Sequence, residues 1–150
     1  MNETHTFLLV DDSDNDRFLT RIAFGKAGVP VLLQELSDGE EAIAYLNGDG
    51  VYCDRRAYPL PTVMLLDLKM PKRNGFDVLS WVRSKKAIKR LVIVVVTASV
   101  RSEDVNMSFD LGANAFVVKP STMDELIAMI QSLGEWLKYN RFARLTDDAE

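Results

Sequence analysis

Five residues that can take part in phosphoryl or metal chemistry stand directly after apolar runs of the sequence. Asp11 and Asp12 follow the first apolar run, Asp67 the third, Thr97 the fourth and Lys119 the fifth. In a parallel α/β sheet, ligands bind beyond the carboxyl ends of the strands. If these runs are parallel strands, their side chains therefore meet at one edge of the sheet.

The types of these side chains indicate what such an edge can do. Three adjacent carboxylates repel one another unless a cation neutralises them, and oxygen ligands suit Mg²⁺. A carboxylate beside a metal ion can attack a phosphoryl group and form an acyl phosphate. The Lys119 ammonium can pair with one phosphoryl oxygen, and the Thr97 hydroxyl can bond another. The set predicts phosphoryl transfer to one of these carboxylates.

The elements that must position these residues follow from the hydrophobic pattern. Runs that are apolar throughout alternate with segments of helical period, which is typical of a parallel sheet covered on both faces by helices. Strands are predicted at 6–10, 31–36, 62–66, 91–96 and 115–118, and helices at 14–26, 40–46, 74–83, 101–111 and 122–139. Glycine and proline punctuate residues 47–61, which predicts a long loop.

Composition sets the broad class. The 150 residues are enough for one domain, predicted at 1–139 with a C-terminal tail at 140–150. We expect no membrane span, because no apolar run is long enough, and no direct nucleic-acid contact, because the net charge is −4. Cys53 is the single cysteine and the start carries no secretory signal, so a reducing cytoplasmic location is expected.

Four motifs in this order resemble the receiver domain of two-component response regulators, over about residues 5 to 138. They are Asp11-Asp12, the segment LDLKMPKRNG that contains Asp67, Thr97-Ala98 and Lys119-Pro120. The resemblance implies an α/β flavodoxin-like fold, a five-stranded parallel sheet in the order 2-1-3-4-5 with five helices. It also implies a single-domain regulator that is not an enzyme on other substrates and that catalyses only its own phosphorylation and dephosphorylation.

The resemblance assigns a role to each site residue. Asp67 is the phosphoacceptor, served by a histidine kinase or a phosphotransfer protein. Asp11, Asp12, Asp67 and the backbone carbonyl of Lys69 surround Mg²⁺, with Mn²⁺ as a possible substitute. Thr97 and Phe116 form the conformational switch. The resemblance further implies a cis peptide bond between Lys119 and Pro120.

The expected output is binding to a downstream protein. In the family, activation repacks the face made by the fourth helix, the fifth strand and the fifth helix, which predicts a possible homodimer there. The segment Trp136 to Phe142 carries more aromatic residues than one helix face can bury, which also favours a dimer or a docked partner. The 47–61 loop is similar to that of single-domain regulators that serve phytochrome-type sensor kinases.

Other interpretations of the same residues remain open. The acids from Asp11 to Asp16 can be a capped helix start, with Asp14 and Asp16 as cap and first-turn residues. Thr97 can cap a turn, and Phe116 can be a core residue. A haloacid-dehalogenase-type phosphatase also uses a nucleophilic aspartate, but on its first strand in an Asp-x-Asp arrangement. A constitutive scaffold that has lost phosphorylation is the second rival.

Overall fold

The computed structural model describes residues 4–147; residues 1–3 and 148–150, the outer ends of the predicted domain and tail, lie outside the described residues. Five strands and five α-helices alternate along this part of the chain. The strands are β1 (His5–Val10), β2 (Val31–Leu36), β3 (Val63–Leu66), β4 (Val92–Thr97) and β5 (Ala115–Val118). The helices are α1 (Asp14–Ala27), α2 (Gly39–Asn47), α3 (Gly75–Ser84), α4 (Ser102–Asp110) and α5 (Met123–Tyr139).

All strand pairs are parallel, and their order is β2-β1-β3-β4-β5. The predicted fold class and strand order are confirmed, and each predicted element lies within two residues of the observed one. The agreement has a physical reason. A parallel strand covered by helices has no polar face, so its whole sequence is apolar and easily distinguished.

The sheet separates two apolar layers. Alternate residues of β1 and β3 point to opposite faces, as the period of two requires. Leu8 and Met64 pack in the layer covered by α2 and α3, whereas Phe7 and Leu65 pack in the layer covered by α1 and α5. The central strands are thereby fixed from both sides, and so are the residues at their carboxyl ends.

Side chains at the starts of four helices, α1, α2, α3 and α5, fix where those helices begin. Ser13 caps α1, Asp38 caps α2 and Thr122 caps α5, each accepting a hydrogen bond from a first-turn backbone amide. Asn74 and Asp77 form a reciprocal capping box at the start of α3. Three of these helices therefore begin directly beside the strand ends that carry the predicted site.

The α2–β3 loop, residues 48–62, is folded around one arginine. The Arg55 guanidinium donates hydrogen bonds to the carbonyls of Tyr45 at 2.8 Å and Leu46 at 3.0 Å, in the last turn of α2, and to that of Tyr58 at 3.3 Å. Tyr45, Tyr52 and Tyr58 pack with ring centroids 5.0 to 6.0 Å apart. The predicted loop is thus an ordered structure with its own small aromatic cluster.

The tail at 140–147 packs back onto the domain. Phe142 contacts the rings of Trp136 and His5 edge-on, with centroids 5.2 and 5.6 Å apart. Leu145 packs on the α2 and α3 layer, and Asp147 pairs with Arg55 at 2.8 Å. The expectation that the tail aromatics need a partner is therefore wrong for Phe142. Of the aromatic residues there, Tyr139 stays largely exposed, at 82%.

The peptide bond between Lys119 and Pro120 is trans, and no cis bond occurs among residues 4–147, so the implied cis bond is a wrong expectation. The tertiary amide of an X–Pro bond still favours trans by about 0.5–1 kcal/mol. Just before this bond, the Lys119 amide donates to the Thr97 carbonyl at 2.7 Å. In the same described range no helix has the length and hydropathy to cross a bilayer.

The Arg55 contacts predict a stability effect. Arg55→Ala removes the donor for three partly buried carbonyls, so we expect the free energy of unfolding to fall by about 2 kcal/mol in urea denaturation. Asp147→Ala removes only an exposed ion pair and should cost less than about 1 kcal/mol. Arg56→Ala, at an exposed neighbouring position, is the control; an Arg55→Ala curve that superimposes on the control would contradict the role of Arg55.

Candidate functional site

Asp11 and Asp67 lie next to each other at the carboxyl edge of the sheet because β1 and β3 are paired neighbours. The backbone amide of Asp67 donates to the Val10 carbonyl at 3.0 Å, and that of Asp11 donates to the Leu36 carbonyl at 3.1 Å. These bonds continue the ladder one residue past each strand. Both aspartates are buried, at 5% and 7% exposure, while Asp12 is exposed.

The three predicted acids do come together. Carboxylate oxygens of Asp11, Asp12 and Asp67 all lie within 4.8 Å of one another. Side-chain rotation can bring oxygens this close onto one Mg²⁺ ion, whose ligands each lie about 2.1 Å from the metal. The donor set therefore fits a hard divalent cation, with Asp12 on the side open to solvent.

Lys119 supplies the positive charge of the site. Its ammonium lies 2.8 Å from the Asp11 carboxylate, 2.6 Å from that of Asp16 and 3.2 Å from that of Asp67. Burial lowers the pKa of Lys119, but hydrogen bonds from its ammonium to Asp11 and Asp16 and the charge of Asp67 outweigh that effect. The net shift is upward, so the lysine stays charged at any physiological pH.

Burial raises the pKa of Asp11, whereas it lowers that of Lys119. Desolvation raises the pKa of Asp11 above its ordinary value of 3.8, although the Lys119 ammonium and the Ser13 amide lower it and the Asp67 charge raises it. The Ser13 amide donates to this carboxylate at 2.9 Å. Asp11 therefore holds a proton more readily than an exposed aspartate does, unless a cation binds beside it.

The β3–α3 loop, residues 67–74, turns back tightly over the strand end. The Leu68 amide donates to the Asp67 carboxylate at 2.8 Å, and the Gly75 amide donates to the Leu68 carbonyl at 2.8 Å. A β-carbon at Gly75 would lie 2.4 Å from the Asp67 carbonyl oxygen, so only glycine permits this approach. Lys69 is exposed on this loop, and the role of its carbonyl as a metal ligand stays a prediction.

Gly39 likewise permits a close backbone approach, on the other side of this loop. A β-carbon there would lie 2.1 Å from the Arg73 carbonyl oxygen. Lys72 and Arg73 have positive φ angles of 59° and 129°, which non-glycine residues rarely adopt. The first turn of α2 thus packs directly against a backbone segment of the β3–α3 loop that is strained.

The two predicted switch residues lie at the β4 and β5 side of the site. Thr97 is 1% exposed at the end of β4, and its hydroxyl oxygen lies 3.5 Å from the Ser99 amide. Phe116, opposite Val95 in the register of β4 and β5, is half-buried against the α2 and α3 layer. Both positions suit a switch, and the switching itself stays a prediction.

Asp16 is the site residue that the sequence analysis missed. It was expected to be a first-turn residue of α1, which it is, but its carboxylate also accepts a hydrogen bond from Lys119. A signal was available, because the first turn of α1 begins two residues after Asp12. Lys119 lies 103 residues away, however, so only the tertiary structure joins the two.

Comparisons with protein families and with individual proteins both identify response regulators. Residues 7–131 match the family described as response regulator receiver domain. The chain is 33% identical over 138 residues to response regulator Rcp1 of Synechocystis sp., covering 91% of this chain and 92% of that protein.

Two solved structures share this architecture over almost their whole length. The phosphorylated cyanobacterial phytochrome response regulator RcpA superimposes with a TM-score of 0.85 at 30% identity, over 93% of this chain and 99% of that chain. The Mn²⁺-bound form of Rcp1 superimposes with a TM-score of 0.81 at 31% identity, over the same shares.

The raised pKa of Asp11 predicts how metal affinity depends on pH. A protonated Asp11 cannot coordinate, so Mn²⁺ affinity measured by titration calorimetry should fall by about tenfold per pH unit below that pKa. Because the pKa is raised, the fall should begin at a higher pH than an ordinary carboxyl with a pKa of 3.8 allows. Asp14→Asn, at an exposed acid outside the cluster, is the control and should leave the pH dependence of Mn²⁺ affinity unchanged. A wild-type Mn²⁺ affinity that does not change as the pH is lowered to 3.8 would contradict the prediction.

Proposed function

Because the chain belongs to the response regulator receiver domain family, whose function is phosphoacceptor signalling, we propose that Asp67 is the residue that accepts the phosphoryl group. The observation that supports this choice is the buried Asp67 carboxylate, which has Lys119 at 3.2 Å and two further acids beside it. Among these acids only Asp67 lies at the end of a central strand flanked by Thr97 and Lys119 on the strands that follow.

The chemistry follows from these side chains. One Asp67 carboxylate oxygen attacks the phosphorus of a phosphohistidine donor, a P–O bond forms and the P–N bond to the donor imidazole breaks. The Lys119 ammonium and the Thr97 hydroxyl each donate a hydrogen bond to an oxygen of the transferring group, offsetting its charge. Hydrolysis of the resulting acyl phosphate returns Asp67 to its carboxylate, so the protein acts only on its own phosphorylation state.

We assign a Mg²⁺ ion to the acids, with Mn²⁺ as a substitute. Asp11, Asp12, Asp67 and the Lys69 carbonyl would hold it, and when bound it would neutralise negative charge on the phosphoryl oxygens. The fit of the three carboxylates and the Mn²⁺-bound form of the relative Rcp1 support this assignment. Lys119 alone leaves the site with more negative than positive charge, which also favours a cation.

Receiver domains partner with histidine kinases, and we propose that the kinase here is a phytochrome-type sensor, acting directly or through a phosphotransfer protein. The similarity to RcpA, a phytochrome response regulator, supports this proposal. We place the protein in the cytoplasm with its kinase, without direct contact to nucleic acid, and assign residues 1–139 to the receiver and 140–150 to the tail.

The output surface is the face formed by α4, β5 and α5. Exposed apolar residues support it: Val100, Met107, Phe109 and Val118 all lie on or beside α4 and β5. Isolated exposed apolar residues are common, but a group on adjoining elements indicates a protein contact. We propose that phosphorylation changes the affinity of this face for a second copy of the chain or for a downstream protein.

Phosphorylation of Asp67 has a direct test. Incubated with acetyl phosphate and Mg²⁺, the wild-type protein should gain the mass of one phosphoryl group in a base-labile bond, and Asp67→Asn should gain none. Asp110→Asn, at an exposed acid on α4, is the control and should behave as wild type. A wild-type protein that gains nothing would favour the scaffold, and steady turnover of a small phosphoester would favour the phosphatase.

The output face can be tested with two phenylalanines of equal exposure. Phe109 on α4 and Phe18 on α1 are each 48% exposed. Phe109→Glu should still be phosphorylated by acetyl phosphate but should lose any phosphorylation-dependent change in mass measured by light scattering. Phe18→Glu, the control, should keep that change; the reverse result would assign the contact to α1.

A further inference from the structure

The Lys119 ammonium makes its shortest contact with Asp16, not with the proposed phosphoacceptor. The distances from its nitrogen are 2.6 Å to Asp16, 2.8 Å to Asp11 and 3.2 Å to Asp67. An ammonium has three N–H donors. Two of them donate hydrogen bonds, to Asp16 and Asp67, and the Asp11 carboxylate lies within ion-pair distance. Lys119 is therefore already shared among three carboxylates.

A phosphoryl group on Asp67 needs one of these donors. Its oxygens lie beyond the Asp67 carboxylate, so Lys119 must exchange one carboxylate for one phosphoryl oxygen. Asp11 also faces the proposed cation, and the Asp67 carboxylate loses its charge when it becomes an acyl phosphate. Asp16 lies outside the cluster of three acids and is not phosphorylated, so it remains the carboxylate that competes with the phosphoryl group for the lysine.

Asp16 is held where it can compete. It lies in the first turn of α1, and its amide donates to the capping hydroxyl of Ser13 at 3.1 Å. The next residue, Arg17, donates to the carbonyl of Asp11, which fastens this turn to the end of β1. The Asp16 carboxylate therefore cannot leave Lys119 without a change of its own side-chain rotamer.

Lys119 has room to make the exchange. A cavity of about 90 Å³ lies beside its side chain, between α1, α5 and the sheet, with Leu19, Leu126 and Met129 among its apolar walls. The lysine stem is thus not packed on every side. Its ammonium can move by rotation of the side chain alone, and the ion pairs determine where it rests.

We propose that Asp16 is a positioning residue that holds the Lys119 ammonium on the α1 side of the site and competes with the phosphoryl group for it. This inference rests on the proposed role of Asp67 and Lys119. Asp16 thereby lowers the stability of the phosphorylated state and shortens its lifetime. Removing its charge should transfer the lysine to the phosphoryl oxygens.

The test is the affinity for beryllofluoride, an anion that mimics a phosphoryl group on a carboxylate, measured calorimetrically at saturating Mg²⁺. Asp16→Asn keeps the shape of the side chain but removes its charge, and it should bind beryllofluoride about three to five times more tightly than wild type. The acyl phosphate formed with acetyl phosphate should live correspondingly longer. Asp16→Glu, which restores the charge, should return both values toward wild type.

Asp14 provides a matched control. It is an acid two residues earlier on the same turn, 94% exposed in its side chain, and it pairs with Arg17 instead of Lys119. Asp14→Asn makes the same change in net charge without touching the lysine and should leave beryllofluoride affinity unchanged. An equal gain in Asp14→Asn, or no gain in a folded Asp16→Asn, would overturn the role of Asp16.

The result separates this inference from the proposed function. If wild type binds beryllofluoride and Asp67→Asn does not, the function stands whatever Asp16 does. If wild type neither binds beryllofluoride nor gains a phosphoryl group, the function itself is refuted, and the role of Asp16 with it. Thermal unfolding of each variant checks that it is folded, and Asp16→Ser, which also removes the charge, tests the charge requirement if Asp16→Asn does not fold.

Discussion

Two carboxylates buried side by side are the constraint on which the rest of this structure depends. Asp11 and Asp67 end neighbouring parallel strands, so the ladder that pairs β1 with β3 also forces their charges together. Buried like charges are costly unless cations lie close to them. Lys119 meets that need in part, and the remaining negative charge favours a metal ion, which would in turn offset the charge of a phosphoryl group.

The backbone around Asp67 is shaped to keep that edge compact. Gly75 lets the β3–α3 loop lie against the Asp67 carbonyl, and Gly39 lets α2 lie against Arg73 on the same loop. A side chain at either glycine would push the loop outward. The β3–α3 loop, which carries Lys69, is thus contacted by two helices, α2 and α3, close to the buried Asp67.

At the opposite edge of the sheet, where the strands begin, the C-terminal tail packs on the domain. There the tail crosses from Phe142, on the α1 and α5 layer, to Leu145, on the α2 and α3 layer, and ends its described course at the Arg55 pair. These contacts join elements that are far apart in sequence without approaching the acids.

The sequence by itself determined the strands and, through the family resemblance, their order. It also determined that Asp11, Asp12, Asp67 and Lys119 meet and that Thr97 ends a strand at the same edge, because fully buried strands are apolar throughout and their carboxyl ends share one edge. The sequence did not reveal that Asp16 shares the lysine, that Phe142 packs on its own domain, or that the bond before Pro120 is trans. Only the tertiary structure decided these three features, because each depends on how the helices and the tail pack. Apolar periodicity does not encode contacts between residues that are distant in the chain.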